Sequence, residues 1–223
     1  QLQGLSAQNT DTVTALAPVA LDIIKSATPL DPQAGEEVTY NLTARNIGGA
    51  APTPIVVQVD GADASVVLIS DAMPANTVFV RATDPGGGTL LYHRLGAARH
   101  VYTTTPPQDP AQVDEIAYGL PDLQPGATFS FSFTVQVGRS TGVQMDNIAY
   151  ITYMDDLSAQ EVMVPSNILS LALTPVAPDI EYYTDLTFTD LTSVTGLGSD
   201  LYVQAECGAA NKSAAAIDTA IIS

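Results

Sequence analysis

Thr128-Phe129-Ser130-Phe131-Ser132-Phe133-Thr134-Val135-Gln136-Val137 is the stretch on which the fold turns. An extended chain sends successive side chains to opposite faces. Phe129, Phe131, Phe133, Val135 and Val137 therefore share one face, and Ser130, Ser132, Thr134 and Gln136 the other. One face is made for a core and the other for water, the pattern of a half-buried antiparallel strand.

The same period recurs outward from it. Val38, Tyr40, Leu42 and Ala44 predict a second strand, and Ile55, Val57 and Val59 a third, after the punctuation of Gly48-Gly49 and Pro52/Pro54. The first two strands share an entry device, a proline-fixed turn closed by Gly35 or Gly126. Further strands are expected at Asn147–Tyr153 and Val162–Leu173, with a turn at Asp155-Asp156-Leu157-Ser158. Helix-period stretches are nearly absent. Seven or more strands at this spacing predict an all-β, Ig-like antiparallel β-sandwich. The least regular stretch, Asp71 to Tyr118, reads as a long insertion with one or two hairpins, the sort of place where sandwiches carry function. After Leu173 the pattern restarts, and Tyr182–Phe188, Leu201–Ala205 and Ala216–Ile222 read as three short strands of a small C-terminal β module. The expected division is thus 1–17 as an N-terminal extension or donor strand, 18–175 as the sandwich and 176–223 as the small module.

Composition narrows the function. Seven Lys+Arg against 24 Asp+Glu give a formal charge of −17, so phosphate backbones and anionic headgroups are repelled and nucleic acid is a poor partner. With 46% hydrophobic residues, the 223-residue chain is far from the disordered regime. A single cysteine, Cys207, excludes an internal disulfide and the tetrathiolate zinc pattern; it reads as a small buried hydrophobe. No run approaches the length of a membrane span, and the residues after Gln1 lack the form of a signal peptide. A targeting segment removed earlier, or an internal piece of a longer chain, is the expectation.

Several phrases carry a resemblance. They are Asp22-Ile23-Ile24-Lys25, Gly35-Glu36-Glu37-Val38-Thr39-Tyr40, Thr43-Ala44-Arg45-Asn46-Ile47-Gly48, Ile69-Ser70-Asp71-Ala72-Met73-Pro74, Leu123-Gln124-Pro125-Gly126 and Asn147-Ile148-Ala149-Tyr150-Ile151-Thr152-Tyr153. In this order, over about Pro18 to Pro175, the chain resembles the repeat domain of bacterial and archaeal surface proteins known as domain of unknown function eleven. The resemblance implies an Ig-like sandwich outside the cell and no reaction. Gly198-Ser199-Asp200-Leu201-Tyr202-Val203-Gln204, with Asn211 and Asp218-Thr219, resembles a second kind of surface repeat, whose calcium-binding places hold Cys207 and Ala209 here. Asn9 to Ala15, with Thr12 and Val13 at its centre, looks like the closing strand of such a module. Donation of that strand to the sheet of an adjacent subunit is one reading, and an ordinary first strand or linker the other.

Candidate chemistry is sparse. Gly138-Arg139-Ser140-Thr141-Gly142 matches a nucleophile elbow in letters, but strand-like sequence follows where a helix is required, so Ser140 reads as a turn residue. His93 and His100 are the two histidines a triad or zinc site would need, and the sequence near them offers no carboxylate to orient the rings. With Tyr92, Arg94 and Arg99 they form a mixed cationic and aromatic patch suited to an acidic face of another subunit. Asp155-Asp156, or Asp60 with Asp63, could take calcium, against the plainer reading of turn aspartates capping backbone amides. Calcium is the one cofactor considered. Lys25, one of two lysines, lies on the first predicted strand. Pilus sandwiches can join such a lysine to a late-strand asparagine with a buried carboxylate assisting, and Asn147 and Asn167 are the candidates; a solvent-facing or snorkelling lysine is the ordinary alternative. Asn41-Leu42-Thr43 and Asn211-Lys212-Ser213 fit the glycosylation acceptor pattern.

These readings predict a non-enzymatic structural subunit or repeat of an extracellular filament or cell-surface protein. Its partners would be copies of itself or adjacent repeats. The alternative is an adhesin-type module binding a surface glycan or protein through residues 71–118.

Overall fold

Apolar alternation builds the first sheet. A computed structural model describes residues 17–138, 144–173, 179–183 and 202–206, the last two stretches as backbone. β1 (Leu21–Thr28), β2 (Glu37–Asn46), β9 (Thr128–Val137) and β5 (Thr77–Ala82) pair antiparallel in the order β1-β2-β9-β5. The phenylalanine strand occupies the residues its pattern predicts, with Phe131, Phe133, Val135 and Val137 buried. Opposite it, Val38, Tyr40, Leu42 and Ala44 are at most 1% exposed. Gly35 and Gly126 enter these strands at φ 85° and 78°, a left-handed backbone that glycine adopts without strain.

The second sheet contains β12 (Gln160–Pro165), β11 (Ala149–Asp155), β4 (Ala62–Ala72), β3 (Ile55–Val59), β7 (Val101–Thr103), β6 (Thr89–Arg94) and β8 (Val113–Leu120). Val67, Ile69, Ile116, Tyr118, Ala149 and Ile151 face the first sheet and complete the main core. The fold is an all-β, Ig-like sandwich. Among the described strands the one parallel pairing is two residues long, Gln58 with Val101 and Val59 with Tyr102.

The second sheet also closes on itself. β4 pairs with β3, β3 with β7, β7 with β6, β6 with β8, and β8 again with β4. Each strand of this ring contributes to a second apolar cluster: Ile55 and Val57, Val66 and Leu68, Tyr102, Leu91, and Ala117. The Asp71–Tyr118 stretch supplies β5 to the first sheet and β6, β7 and β8 to this ring. Tyr92 packs edge-on against Phe79 at 5.6 Å and is 7% exposed. Its sequence reading as a surface residue is corrected, because the strand alternation of β6 sends Tyr92 inward.

The predicted strand Val162–Leu173 is broken in two, and Asn147–Tyr153 loses its first residue, Asn147, to a separate strand. β10 (Gln144–Asn147) gives way to β11 at Ile148, and β12 gives way to β13 (Leu169–Ala172) across Ser166-Asn167-Ile168. β11 and β12 belong to the second sheet, whereas β10 and β13 form a separate ribbon. Alternation alone cannot see such a corner, since both halves keep the same polarity pattern. Farther on, β14 (Asp179–Tyr183) pairs antiparallel with β15 (Tyr202–Glu206); β15 falls almost on the expected Leu201–Ala205, whereas β14 shares only Tyr182 and Tyr183 with the expected Tyr182–Phe188. The third, at 216–222, lies outside the described residues, as do Thr12, Val13, Ser140, Cys207 and Asn211.

Candidate functional site

On β1 the inward positions are Ile23, Lys25 and Ala27, and on β4 they are Val67, Ile69 and Asp71. A cation and an anion thus occupy core slots in facing sheets. Their side chains have no exposed surface, and Lys25 Nζ donates to Asp71 Oδ2 in a buried ion pair. The Tyr40 ring centroid lies 4.5 Å from Nζ and the Phe133 centroid 5.9 Å. The solvent-facing lysine considered from sequence is therefore not what the fold builds. The signal was present in the parity of Ile23, Lys25 and Ala27.

Asn147 brings a third polar group to the same place. It stands at the end of β10, two residues before Ala149, whose register partner on β4 is Asp71. Asn147 is 7% exposed, and its side-chain hydrogen bonding draws the pKa of Asp71 down. Neither Asn147 Nδ2 nor Asp71 Oδ1 has a close hydrogen-bond partner, an expensive state for buried polar atoms. Asn167 plays a different part. Its Oδ1 accepts from the Lys25 backbone N–H at 2.9 Å and its Nδ2 donates to the Lys25 carbonyl at 3.0 Å. It acts as a one-residue strand partner at the open edge of β1.

Burial dominates the electrostatics of the cluster. It pulls the Lys25 amine below its ordinary range, against the opposing attraction of Asp71, and pushes the Asp71 carboxyl above its own, against Lys25. Burial also raises the Tyr40 phenol. The two charged groups are thereby brought toward a shared proton.

A second polar site is lined by residues of the strand ring and of β11 and β12. A cavity of about 300 Å³ is lined by His93, Arg99, His100, Tyr102, Glu115 and Met163 among others. The sequence expectation that no carboxylate orients the histidines is overturned here. His93 Nδ1 is 2.6 Å from Asp114 Oδ1, and His100 Nε2 is 3.1 Å from Glu161 Oε1. Arg99 also pairs with Glu161, and Tyr102 donates to Glu115 at 2.6 Å. The carboxylates come from β8 and β12, remote in sequence and invisible to local spacing. The cationic patch is therefore largely neutralised within the chain. Arg94 stands apart, lining a separate cleft with Pro107, Gln108, Asp109 and Gln112.

Asp155, Asp156 and Asp60, weighed for calcium, have protein partners. Asp155 Oδ2 accepts from Ser158 N at 3.0 Å and Ser158 Oγ at 2.5 Å, Asp156 Oδ1 accepts from Thr53 Oγ1 at 2.5 Å, and Asp60 Oδ2 accepts from Thr104 Oγ1 at 2.7 Å. Asp155 thus caps the turn that follows it, whereas Asp156 and Asp60 reach side chains remote in sequence. Among the described residues there is no group of three or more His, Cys, Asp or Glu side chains arranged to hold a metal. Nor is any described helix long and apolar enough to cross a membrane.

No family model matches the chain, and no curated protein matches it. Similar solved structures include the full-length major pilin SpaD from Corynebacterium diphtheriae, at 14% identity and a TM-score of 0.43, covering 84% of this chain and 47% of that one. They also include the RrgA Jo.In complex, at 10% identity and a TM-score of 0.37, covering 67% of this chain and 78% of that one. The bacterial hydrophobin BslA is similar at 10% identity and a TM-score of 0.37, over 71% of this chain and 99% of that one. The chain spans about half the length of the full-length pilin.

Proposed function

We propose that the protein is a non-catalytic structural subunit or repeat of an extracellular filament or surface protein, of the kind its sequence phrases resemble. Copies join head to tail when residues 1–17 of one add a strand to the sandwich of the next. The observation that carries this reading is the open edge of the first sheet at β5. Among the described strands β5 pairs only with β9, and its outward Val78 and Val80 are 40% and 38% exposed. An unpaired edge with apolar outward residues is a template for strand addition. The opposite edge, β1, is less suited, because Asn167 already occupies the main chain of Lys25. Addition of one copy's end to another copy's side is heterologous and does not close, so it generates a filament.

Electron microscopy of the complete chain beside a chain lacking residues 1–17 tests this. Regular filaments that disappear on truncation are expected, and they should also disappear in Val78→Lys/Val80→Lys, which charges the edge without touching the core. Monodisperse particles from the complete chain would refute assembly. The adhesin reading rests on one observation, the 300 Å³ cavity lined by polar and charged side chains together with Leu68 and Met163, the mixed lining that fixes and orients a small ligand. Binding of a surface glycan that Arg99→Ala abolishes, by a chain that remains monomeric, would favour it.

A further inference from the structure

The cluster of Lys25, Asp71 and Asn147 is costly as three separate side chains. Two charges lie fully inside an apolar sandwich, and a carboxamide beside them leaves its amide nitrogen without a close partner. Desolvation of a buried ion pair commonly outweighs its attraction. The same arrangement supplies the requirements of acyl transfer: an amine, an acyl carbon bearing a nitrogen leaving group, a carboxyl touching both residues, and walls that keep water out.

We propose that Lys25 and Asn147 become joined by an amide bond, formed by the chain itself with Asp71 as proton carrier. Lys25 gives a proton to Asp71, and the neutral Nζ attacks Cγ of Asn147 to form the tetrahedral adduct. The protonated Asp71 stabilises the oxygen that becomes negative. The remaining excess proton on Nζ passes through Asp71 to the former Nδ2, the Cγ–Nδ2 bond breaks, and ammonia leaves. One ammonium and one carboxamide become one secondary amide and one ammonia, and the proton that Lys25 first gave up stays on Asp71 until the departing ammonia carries it off as ammonium and restores the carboxylate. No oxidant, metal or cofactor enters.

The geometry gives each residue a separate part. Asp71 Oδ2 holds Nζ, its Oδ1 has no close hydrogen bond, and the Asn147 carboxamide is near enough to draw the carboxyl's pKa down. Burial favours the neutral amine and the protonated carboxyl, the forms the attack requires. Tyr40 and Phe133 close the site against water, which would otherwise compete for the acyl carbon. Asn167 fixes the main chain of Lys25 on both its N–H and its carbonyl, so the amine arrives from a set backbone position. Asp71 is a positioning and proton-carrying group here and contributes no atom to the product.

This inference does not depend on filament formation, and its test reads mass rather than assembly. The intact full chain is expected to be lighter than its sequence mass by about 17 Da, one ammonia. Proteolysis should yield a branched species uniting the Lys25 and Asn147 peptides. Lys25→Met, Asn147→Ala and Asp71→Asn should each restore the full mass, the last while retaining both bond-forming residues. An unmodified wild-type mass overturns the proposal without requiring any variant to fold. A deficit of about 18 Da with Lys25 joined to Asp71 overturns it too, since water rather than ammonia would have left.

Discussion

Asn46 explains a phrase that the sequence offers only as a resemblance. Its Nδ2 donates to the carbonyls of Ala50 at 2.9 Å and Leu123 at 2.8 Å, and its Oδ1 accepts from Gly48 N at 2.9 Å. A Cβ on Gly48 would lie 2.4 Å from Ala20 N and 2.5 Å from the Pro18 carbonyl, so this turn takes glycine alone. Asn46→Ala leaves two buried carbonyls poorly satisfied, and a loss of about 2–4 kcal/mol in chemical denaturation is expected. His93 gives a pH signature. Burial works against its charge, but hydrogen bonds to Asp114 and the Ala98 carbonyl, with the charges of Asp114 and Glu115, leave its pKa above the usual value. The charged ring therefore favours the native state. That contribution is full below about pH 6.5 and is lost as pH rises through the raised native value. The wild type should exceed His93→Gln in melting temperature most at low pH, with the gap closing above neutrality. Its size should be about 1 kcal/mol or less, because Asp114 is a third exposed.

The ring of five strands is the element-scale finding with the sharpest mutational consequence. Its interior is filled by small numbers of side chains from each strand, and Gly119 on β8 leaves the space that Val66 and Leu91 use. A Cβ at Gly119 would approach Val66 Cγ1 to 2.9 Å and Leu91 Cδ1 to 3.3 Å. Gly119→Ala should cost about 1–3 kcal/mol by overpacking, and Leu91→Ala about 2–5 kcal/mol by leaving a cavity; equilibrium unfolding in urea measures both. The ring also marks where sequence reading stops. β9 and β2 were legible because local alternation fixes both an element and its buried face. The closure of β8 onto β4 was not, since pairing between strands some fifty positions apart leaves no local period. The same limit applies to the candidate cluster. Lys25 and Asn147 could be singled out by strand position, but Asp71, quoted only within a phrase, acquired its role from register with Ala149. The partners of His93 and His100 were missed for the same reason.

At the scale of the whole molecule, the proposed amide would tie β1 of the first sheet to β10 of the two-stranded ribbon and enclose the chain between Lys25 and Asn147. A loop of roughly 120 residues lowers the entropy of the unfolded chain enough to add about 4–5 kcal/mol on the chain-entropy account of cross-links. Lys25→Met should therefore lower the melting temperature by more than the loss of an ion pair accounts for, and calorimetry at matched pH measures the difference. A subunit that bears tension along a filament benefits from such a link, because pulling on β1 then loads a covalent bond rather than a ladder of hydrogen bonds. The burial of Lys25 carries a further consequence for anyone handling the protein. It is the sole lysine between residues 17 and 173, and its side chain is sealed from solvent. The folded sandwich thus presents no side-chain amine to acylating dyes, aldehyde fixatives or lysine-specific proteases, and where the proposed amide has formed, opening the domain would expose none there either.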